Sequence, residues 1–399
     1  MSVFSKYGLF AAGALGLLAF AAPAAAQSAF VTRGLGVEIE PLDARSRGLG
    51  GVSVGLTEAE ISWFNTAASV GLAVPGVIFS YQYDNFTSEL EGSNSEPTNS
   101  RTARFPLILA AFPVSDRLTL TAGYGSFLDQ SWSLEREDSL GFASDSIDVV
   151  DVVSSRGGVA RLRAGAAYGI LPNLAIGIAA DVYSGEVERV QGRRFGFEPT
   201  PACCRGVYNY SGLGVSGSVQ WNPSEAIGIG ASVNHGGTLD AEIVIDTTET
   251  QLQGTDKSYE LPLQVRGGVT GRVGQATIVA LGGKWDEWSK LNGVLASSGG
   301  ARDSWAAQAG VEWEGLLIRD RPVPLRLGGR TGTLPFRWGD SPTADWAEER
   351  ALSLGAGLVL AEGAARSDIA FEFGGRGGSE AVFSESFWRF AFSVRVLGR

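Results

Sequence analysis

Gly51-Val52-Ser53-Val54-Gly55 fits the G-x-S-x-G pattern of a serine hydrolase. That chemistry needs the serine on a sharp strand-to-helix turn, a histidine as base and an acid to orient it. The sole histidine, His235, lies about 180 residues away, and no alternation of strands and helices surrounds Ser53. Gly212-Leu213-Gly214-Val215-Ser216-Gly217 fits G-x-G-x-x-G, but a dinucleotide site requires a helix to open there. Val219, Gln220 and Trp221 before Asn222-Pro223 read instead as the end of a strand. One histidine and an adjacent cysteine pair do not supply a zinc site. The acids between 135 and 151 read as solvated loop charges, with loop-bound calcium as the alternative. No enzyme, cofactor or resident metal is expected.

Cys203 and Cys204 are neighbours, and adjacent Cα atoms lie about 3.8 Å apart, below the usual disulfide range. They read either as a strained bridge locking a loop tip or as two thiols that are free or paired elsewhere.

The charges that carry most information are those that share a face of a strand. Arg161, Arg163, Arg266, Arg326, Arg330, Arg376, Arg389 and Arg395 fall in one parity class with Asp181, Glu260, Glu312, Glu314, Asp368 and Glu372. Successive strand side chains point to opposite faces. Trp388, Phe390, Phe392, Val394 and Val396 therefore face one way, and Arg389, Ala391, Ser393 and Arg395 the other. The same alternation recurs around Leu162–Tyr168, Leu261–Val269, Trp305–Trp313, Leu352–Leu360 and Ile369–Phe373. An Arg facing lipid near the midplane costs about 2–4 kcal/mol, so the charged face is expected to line a wet lumen, where the charges pair.

Six tight turns are expected, at Pro113–Asp116, Leu171–Asn173, Asn222–Ser224, Val273–Gln275, Arg319–Pro322 and Glu362–Ala365, each carrying Pro, Gly, Asn or Asp. Longer polar loops are expected near 87–100, 133–156, 191–204, 249–257, 297–301, 338–348 and 377–383. Together they join about fourteen strands, which leaves both ends on the periplasmic side. The fold class is therefore all-β: a transmembrane antiparallel barrel over 76–399. Tyr81, Tyr83, Tyr168, Trp221, Trp285, Trp288, Trp305, Trp313 and Trp338 read as girdle aromatics at headgroup level. The 55 glycines, 19% charged residues and lack of any long apolar run agree with a barrel. A net charge of −11 argues against nucleic acid as a partner.

Residues 1–26 read as a cleaved signal peptide: Lys6, an apolar run from Gly8 to about Ala22, then Ala24-Ala25-Ala26 before Gln27. Residues 27–75 do not alternate. Their small residues, with Gly48, Gly50, Gly51, Asn65 and Ala67 foremost, suit a compact plug inside the lumen.

Here the chain resembles the FadL family of outer-membrane transporters for hydrophobic compounds. The resemblance rests on the Gly-rich stretch 48–55, on Asn65-Thr66-Ala67 where the family has Asn-Pro-Ala, on Trp285-Asp286-Glu287-Trp288-Ser289, and on Gly123-Tyr124-Gly125 where the family's third strand is kinked beside a lateral opening. It implies a monomer in a bacterial outer membrane, placed there by the barrel-insertion machinery. An N-terminal hatch closes the lumen, and a fatty-acid-like or aromatic hydrocarbon ligand leaves sideways into outer-membrane lipid near Gly123 and Gly125. A scaffold for secreted or surface-attached proteins and a general porin are the alternatives.

Overall fold

A computed structural model describes residues 28–90, 97–142, 145–195, 202–246, 251–254, 256–295, 300–318, 321–337, 346–360, 363–378 and 383–398. The leader read over 1–26 and Trp338 lie outside the described residues. Fourteen antiparallel strands close into a barrel. They are β1 (Gly76–Leu90), β2 (Thr98–Ser115), β3 (Leu118–Asp129, resuming over Trp132–Phe142), β4 (Asp145–Leu171), β5 (Leu174–Phe195) and β6 (Ala202–Ser224). They continue with β7 (Ile227–His235, resuming over Thr238–Asp246), β8 (Lys257–Glu260, resuming over Leu263–Val273), β9 (Thr277–Asp286) and β10 (Ser304–Trp313). The last four are β11 (Leu325–Arg337), β12 (Trp346–Leu360), β13 (Ala365–Gly377) and β14 (Phe383–Leu397). Closure comes from β14 pairing with β1, from Gly76 opposite Leu397 to Leu90 opposite Phe383.

The alternation does what its parity demands. Leu162, Ile178, Leu213, Leu281, Leu327, Leu352 and Phe373 are exposed on the outer surface, while Arg163, Asp181, Arg266, Glu312, Arg326 and Glu372 are buried within. One member of the charged class departs from this. Tyr259 and Leu261 turn inward and Glu260 is exposed, because β8 is interrupted at Leu261-Pro262. A proline cannot donate to the ladder, and the break shifts the parity above it. The girdle reading also needs one correction. Trp285, Trp305 and Trp313 are exposed, but Trp288 is buried at 1% exposure.

The wall is uneven in height. Crossing a bilayer takes about 9–11 residues of tilted strand. β9 and β10 have 10 residues each, whereas β4, β5 and β6 have 27, 22 and 23. Most of the region expected as a loop over 133–156 is thus strand, pairing from Trp132 opposite Ser155 to Phe142 opposite Asp145. Above the membrane a strand has no lipid face to fill, so Ile147–Val153 stays extended through its β-branched residues without clean alternation.

Candidate functional site

The N-terminal segment lies inside the barrel. It includes a short strand (Val37–Glu38), helix α1 (Ala44–Gly48) and a 3-10 turn (Thr66–Ser69). Asp43 opens α1, accepting from the Ser46 backbone N–H at 2.9 Å, the capping that an N-terminal Asp provides. The helix then presents two arginines to the wall. Arg45 meets Glu312 of β10 at 2.8 Å and Glu60 at 3.3 Å. Arg47 meets Glu372 of β13 at 2.9 Å and donates to Gln82 of β1 at 2.7 Å. Glu312 also binds Arg326 and, at 3.2 Å, Arg366; Glu372 also binds Arg330 and, at 2.9 Å, Arg389. Each carboxylate gathers three guanidinium groups, one of them from α1.

Glycines let the segment lie directly on the wall. Gly230, Gly268 and Gly282 are in register on β7, β8 and β9, as are Gly310 and Gly328 on β10 and β11. A Cβ on Gly328 would sit 2.2 Å from the Gly50 nitrogen, and one on Gly310 2.6 Å from the Leu49 oxygen. Gly50 itself has φ 71°, a conformation side chains disfavour. In the same trough a Cβ on Gly48 would lie 3.2 Å from the Arg326 side chain, and one on Gly51 2.8 Å from Gln308 Nε2. Further along, the Asn65 side chain donates to Gln220 of β6 at 2.7 Å, and the Ala67 N–H to Ser218 at 3.1 Å.

Trp63 closes the circuit on β4. Arg163 donates to its carbonyl and lies 4.7 Å from its ring centroid, with Arg161 at 5.6 Å. Arg163 is in turn held by Asp181 at 2.7 Å. Arg266 joins Glu40 and stacks 4.4 Å over Phe64. Lys284 binds Glu38 at 2.9 Å and Glu40 at 3.2 Å. On this segment, which does not cross the membrane, burial pushes Glu38 up to about 7 against the pull of Lys284. Burial also acts to raise Glu40, but Arg266 and Lys284 hold it down to about 2. A cavity of about 90 Å³ remains beside these groups, and Ser53 lines it. His235 lies on the outer surface opposite Val215, so the two hydrolase candidates are not brought together.

The ladder between β2 and β3 is incomplete. It runs up from Ser115 opposite Leu118 to Leu107 opposite Gly125, and among the described residues it stops there. Above that point β2 pairs with β1 alone, and β3 with β4. Pro106 is the next residue on β2 and has no N–H to offer, and β1 shifts register between Ser80 and Gln82 beside it. Gly123 and Gly125 sit below the break, in regular pairs with Leu109 and Leu107. A Cβ on Gly125 would meet the Trp63 ring at 2.7 Å, so this glycine makes room for the aromatic at the foot of the seam. The strand itself breaks later: its register shifts between Ser126 and Leu128, and it is interrupted after Asp129. The freed edge is taken by Val37 and Glu38, which pair with Asp129 and Leu128. Arg104 bridges the seam, 2.9 Å from Asp129 and 3.2 Å from Asp84. Neither glycine interrupts β3, and the local signal for the break itself is Phe105-Pro106 on the neighbouring strand.

Leu35 of the N-terminal segment enters an apolar cluster. Phe127, Leu128, Val159, Tyr183, Val187, Tyr210, Leu239, Leu261 and Phe336 from the wall enclose Leu35, Trp288, Leu291 and Leu295. Cys204, on the upper part of β6, is disulfide-bonded, and the chain's other cysteine is Cys203.

These features define a class: an outer-membrane type of β-barrel whose lumen is occupied by its own N-terminal segment. A family model described as BamG matches residues 6–197, slightly under half of the chain. No curated protein matches the chain. Among solved structures, a FadL homologue of Pseudomonas aeruginosa superposes with a TM-score of 0.65 at 11% identity, covering 90% of this chain and 99% of that one. The toluene transporter TodX of Pseudomonas putida gives 0.56 at 16% identity, covering 89% and 98%. The monoaromatic hydrocarbon channel CymD gives 0.56 at 14% identity, covering 90% and 98%. The chain thus has the fold of the FadL homologues and TodX-type channels, with the same closed barrel of fourteen strands.

Proposed function

We propose that this protein is an outer-membrane passive transporter of hydrophobic small molecules, fatty-acid-like or aromatic hydrocarbon in character. Residues 27–75 act as the hatch, and ligand is released sideways between β2 and β3. The observation that carries the reading is the seam above Leu107 and Gly125, where, among the described residues, no backbone ladder joins the two neighbouring strands. It opens beside Phe127 and Leu128, which belong to the apolar cluster. A greasy solute gains nothing from a lumen crossed by ion pairs, and a path from that cluster to lipid avoids them. Gly125, by admitting Trp63, and Gly123 beside it keep the foot of the seam narrow. Residues 1–26 direct export, the barrel-insertion machinery engages β14 during assembly, and the protein works as a monomer. The hydrocarbon channels of the same fold support the ligand class. A general porin is disfavoured, because the N-terminal segment spans the lumen, from β1 and β13, which Arg47 reaches, to β6, which Asn65 reaches.

Refolded mature protein in vesicles tests this. Saturable binding of a fluorescent fatty acid without steady ionic conductance is expected. A bismaleimide staple joining R104C to D129C is expected to cut uptake at least tenfold while leaving binding intact. A large steady conductance, or uptake indifferent to the staple, would sink the reading. The scaffold for secreted or surface-attached proteins is the second reading, favoured by the tall wall of β4, β5 and β6. Capture of an exported protein by that wall, with no probe binding, would make it the better one.

A further inference from the structure

We infer that the outer surface of the barrel over β9–β14 is a binding site for one lipid of the outer leaflet. Its acyl chains lie in a groove between Leu281 and Leu352, and its phosphorylated sugar headgroup sits on Arg350. The inference does not depend on transport; it needs only the barrel in an outer membrane.

Strand register builds the groove. At one level of the wall Leu281, Ala309, Gly329, Leu352 and Phe373 stand side by side on β9 to β13. All five belong to the outward parity, and Leu281, Leu352 and Phe373 are exposed there. Leu281 and Leu352 are three strand spacings apart, about 14 Å, with only a methyl group and a hydrogen between them. Ala307 extends this floor, one outward position further along β10. The result is an apolar groove of about 860 Å³. In a bilayer such a groove fills with hydrocarbon, because an unfilled one forfeits dispersion contacts on both sides.

The upper end of the groove gives it specificity. At the next outward level Thr331, Arg350, Gly375, Ser386 and Thr87 are in register from β11 round to β1, and the apolar character stops. Arg350 lines the groove and also lines a cleft of about 980 Å³ beside it. Gly375, between Arg350 and Ser386, and Gly377, opposite Glu348, leave that cleft open. Trp346 lines it too, with the guanidinium groups of Arg302 and Arg337 over its ring at 4.7 and 4.5 Å.

The lining selects the headgroup. The Arg350 side chain is 77% exposed and meets Glu348, itself 50% exposed, at 3.1 Å. Such a pair is worth little, and a phosphate can take the guanidinium in a paired, charge-assisted contact. Glu348 and Glu89 then accept from hydroxyl groups, as Ser384, Ser386 and Thr87 also can. The two carboxylates repel a headgroup that offers phosphate alone. A phosphorylated sugar satisfies both sets, and the Trp346 ring gives its apolar face a surface.

A second outer groove serves as the comparison. It measures about 770 Å³ and has Ala164, Ala180 and Val215 in register on its floor, with His235 beside them. The next level up is Leu162, Val182 and Leu213, all exposed, and no Arg or Lys is among the described residues that line it. It can take hydrocarbon, but it has no seat for a headgroup.

The test titrates full mature protein, refolded in detergent, with a hexa-acylated glucosamine disaccharide carrying two phosphates. Native mass spectrometry counts the adducts. One adduct that saturates before any other is expected. R350A and A309L, both on the outer face, should keep the compact migration of the folded barrel and bind at least tenfold more weakly. A180L, in the second groove, should bind as wild type does. Stripping both phosphates from the lipid should cost wild type at least tenfold and R350A less than threefold. Phosphatidylglycerol should compete at least tenfold less well than the disaccharide. Adducts that accumulate without saturation, or R350A and A309L affinities equal to that of wild type, overturn the site. Equal competition by phosphatidylglycerol overturns the sugar headgroup.

Discussion

Glu312 and Trp288 are buried to the same degree inside the barrel, at 0% and 1% exposure, yet different forces keep them there. Glu312 belongs to the lower lumen, where it joins Arg45 of α1 to Arg326 and Arg366 of the wall. Each of these three partners is a buried charge that would be stranded if Glu312 left. Trp288 belongs to the upper lumen, where its neighbours are apolar and its backbone bonds are local to its own turn. Ion pairs are specific and costly to break, whereas apolar contacts accept substitutes. The lower half is held by ion pairs, and the upper half by apolar packing.

The largest effect should come from breaking those ion pairs. E312A leaves three buried guanidinium groups without their shared carboxylate, and unpairing a buried charge costs about 3–5 kcal/mol. Thermal unfolding of the refolded barrel, read as loss of compact migration on a gel, should shift well below wild type. An unchanged transition would mean that the network contributes little.

Next comes G328V, which drives a side chain into the Gly50 backbone. Overpacking costs about 1–3 kcal/mol, and the segment has no room to relax against the wall. The barrel is expected to persist while single-channel recordings show new ionic conductance. A silent, stable variant would show that the close approach is not needed to seal the lumen.

L291A sharpens the contrast from the other half. A buried Leu→Ala change costs about 2–5 kcal/mol where the site is fixed. Here the backbone bonds of 288–295 are local to the turn, so the global transition should move by less than half the E312A shift. Protease cleavage within 287–303 should instead accelerate. A shift as large as that of E312A would erase the distinction between the halves. R350A is the floor of the scale. Arg350 and its partner Glu348 are both largely exposed, and such pairs are worth under about 1 kcal/mol, so unfolding should be nearly unchanged.

Much of the site is legible in the alternation of the strands. Apart from Glu260, the charged parity class faces the lumen, where Arg163, Arg266, Glu312, Arg326, Arg330, Glu372 and Arg389 form ion pairs and Arg161 stacks on Trp63 and Phe127. The identity of the partners is not legible there. Glu312 and Arg45 are 267 residues apart, and no local pattern links them. Trp285 and Trp288 read alike as residues, yet one faces lipid and the other joins the apolar cluster, because β9 ends at Asp286 and alternation ends with it.

The sequence by itself determined which face of each strand is wet, because side-chain direction has a period of two and depends on the backbone alone. It also determined most of the described turns, where Pro, Gly and Asn limit the local conformations, although β6 runs on through Asn222-Pro223-Ser224 and turns after it; Arg319, Asp320 and Glu362 lie outside the described residues. Only the tertiary structure decided where β2 and β3 part, which residues the glycine trough receives and what fills the upper lumen. Each of those depends on which distant segment arrives beside a strand, and pairing energy is a property of two segments that neither carries alone.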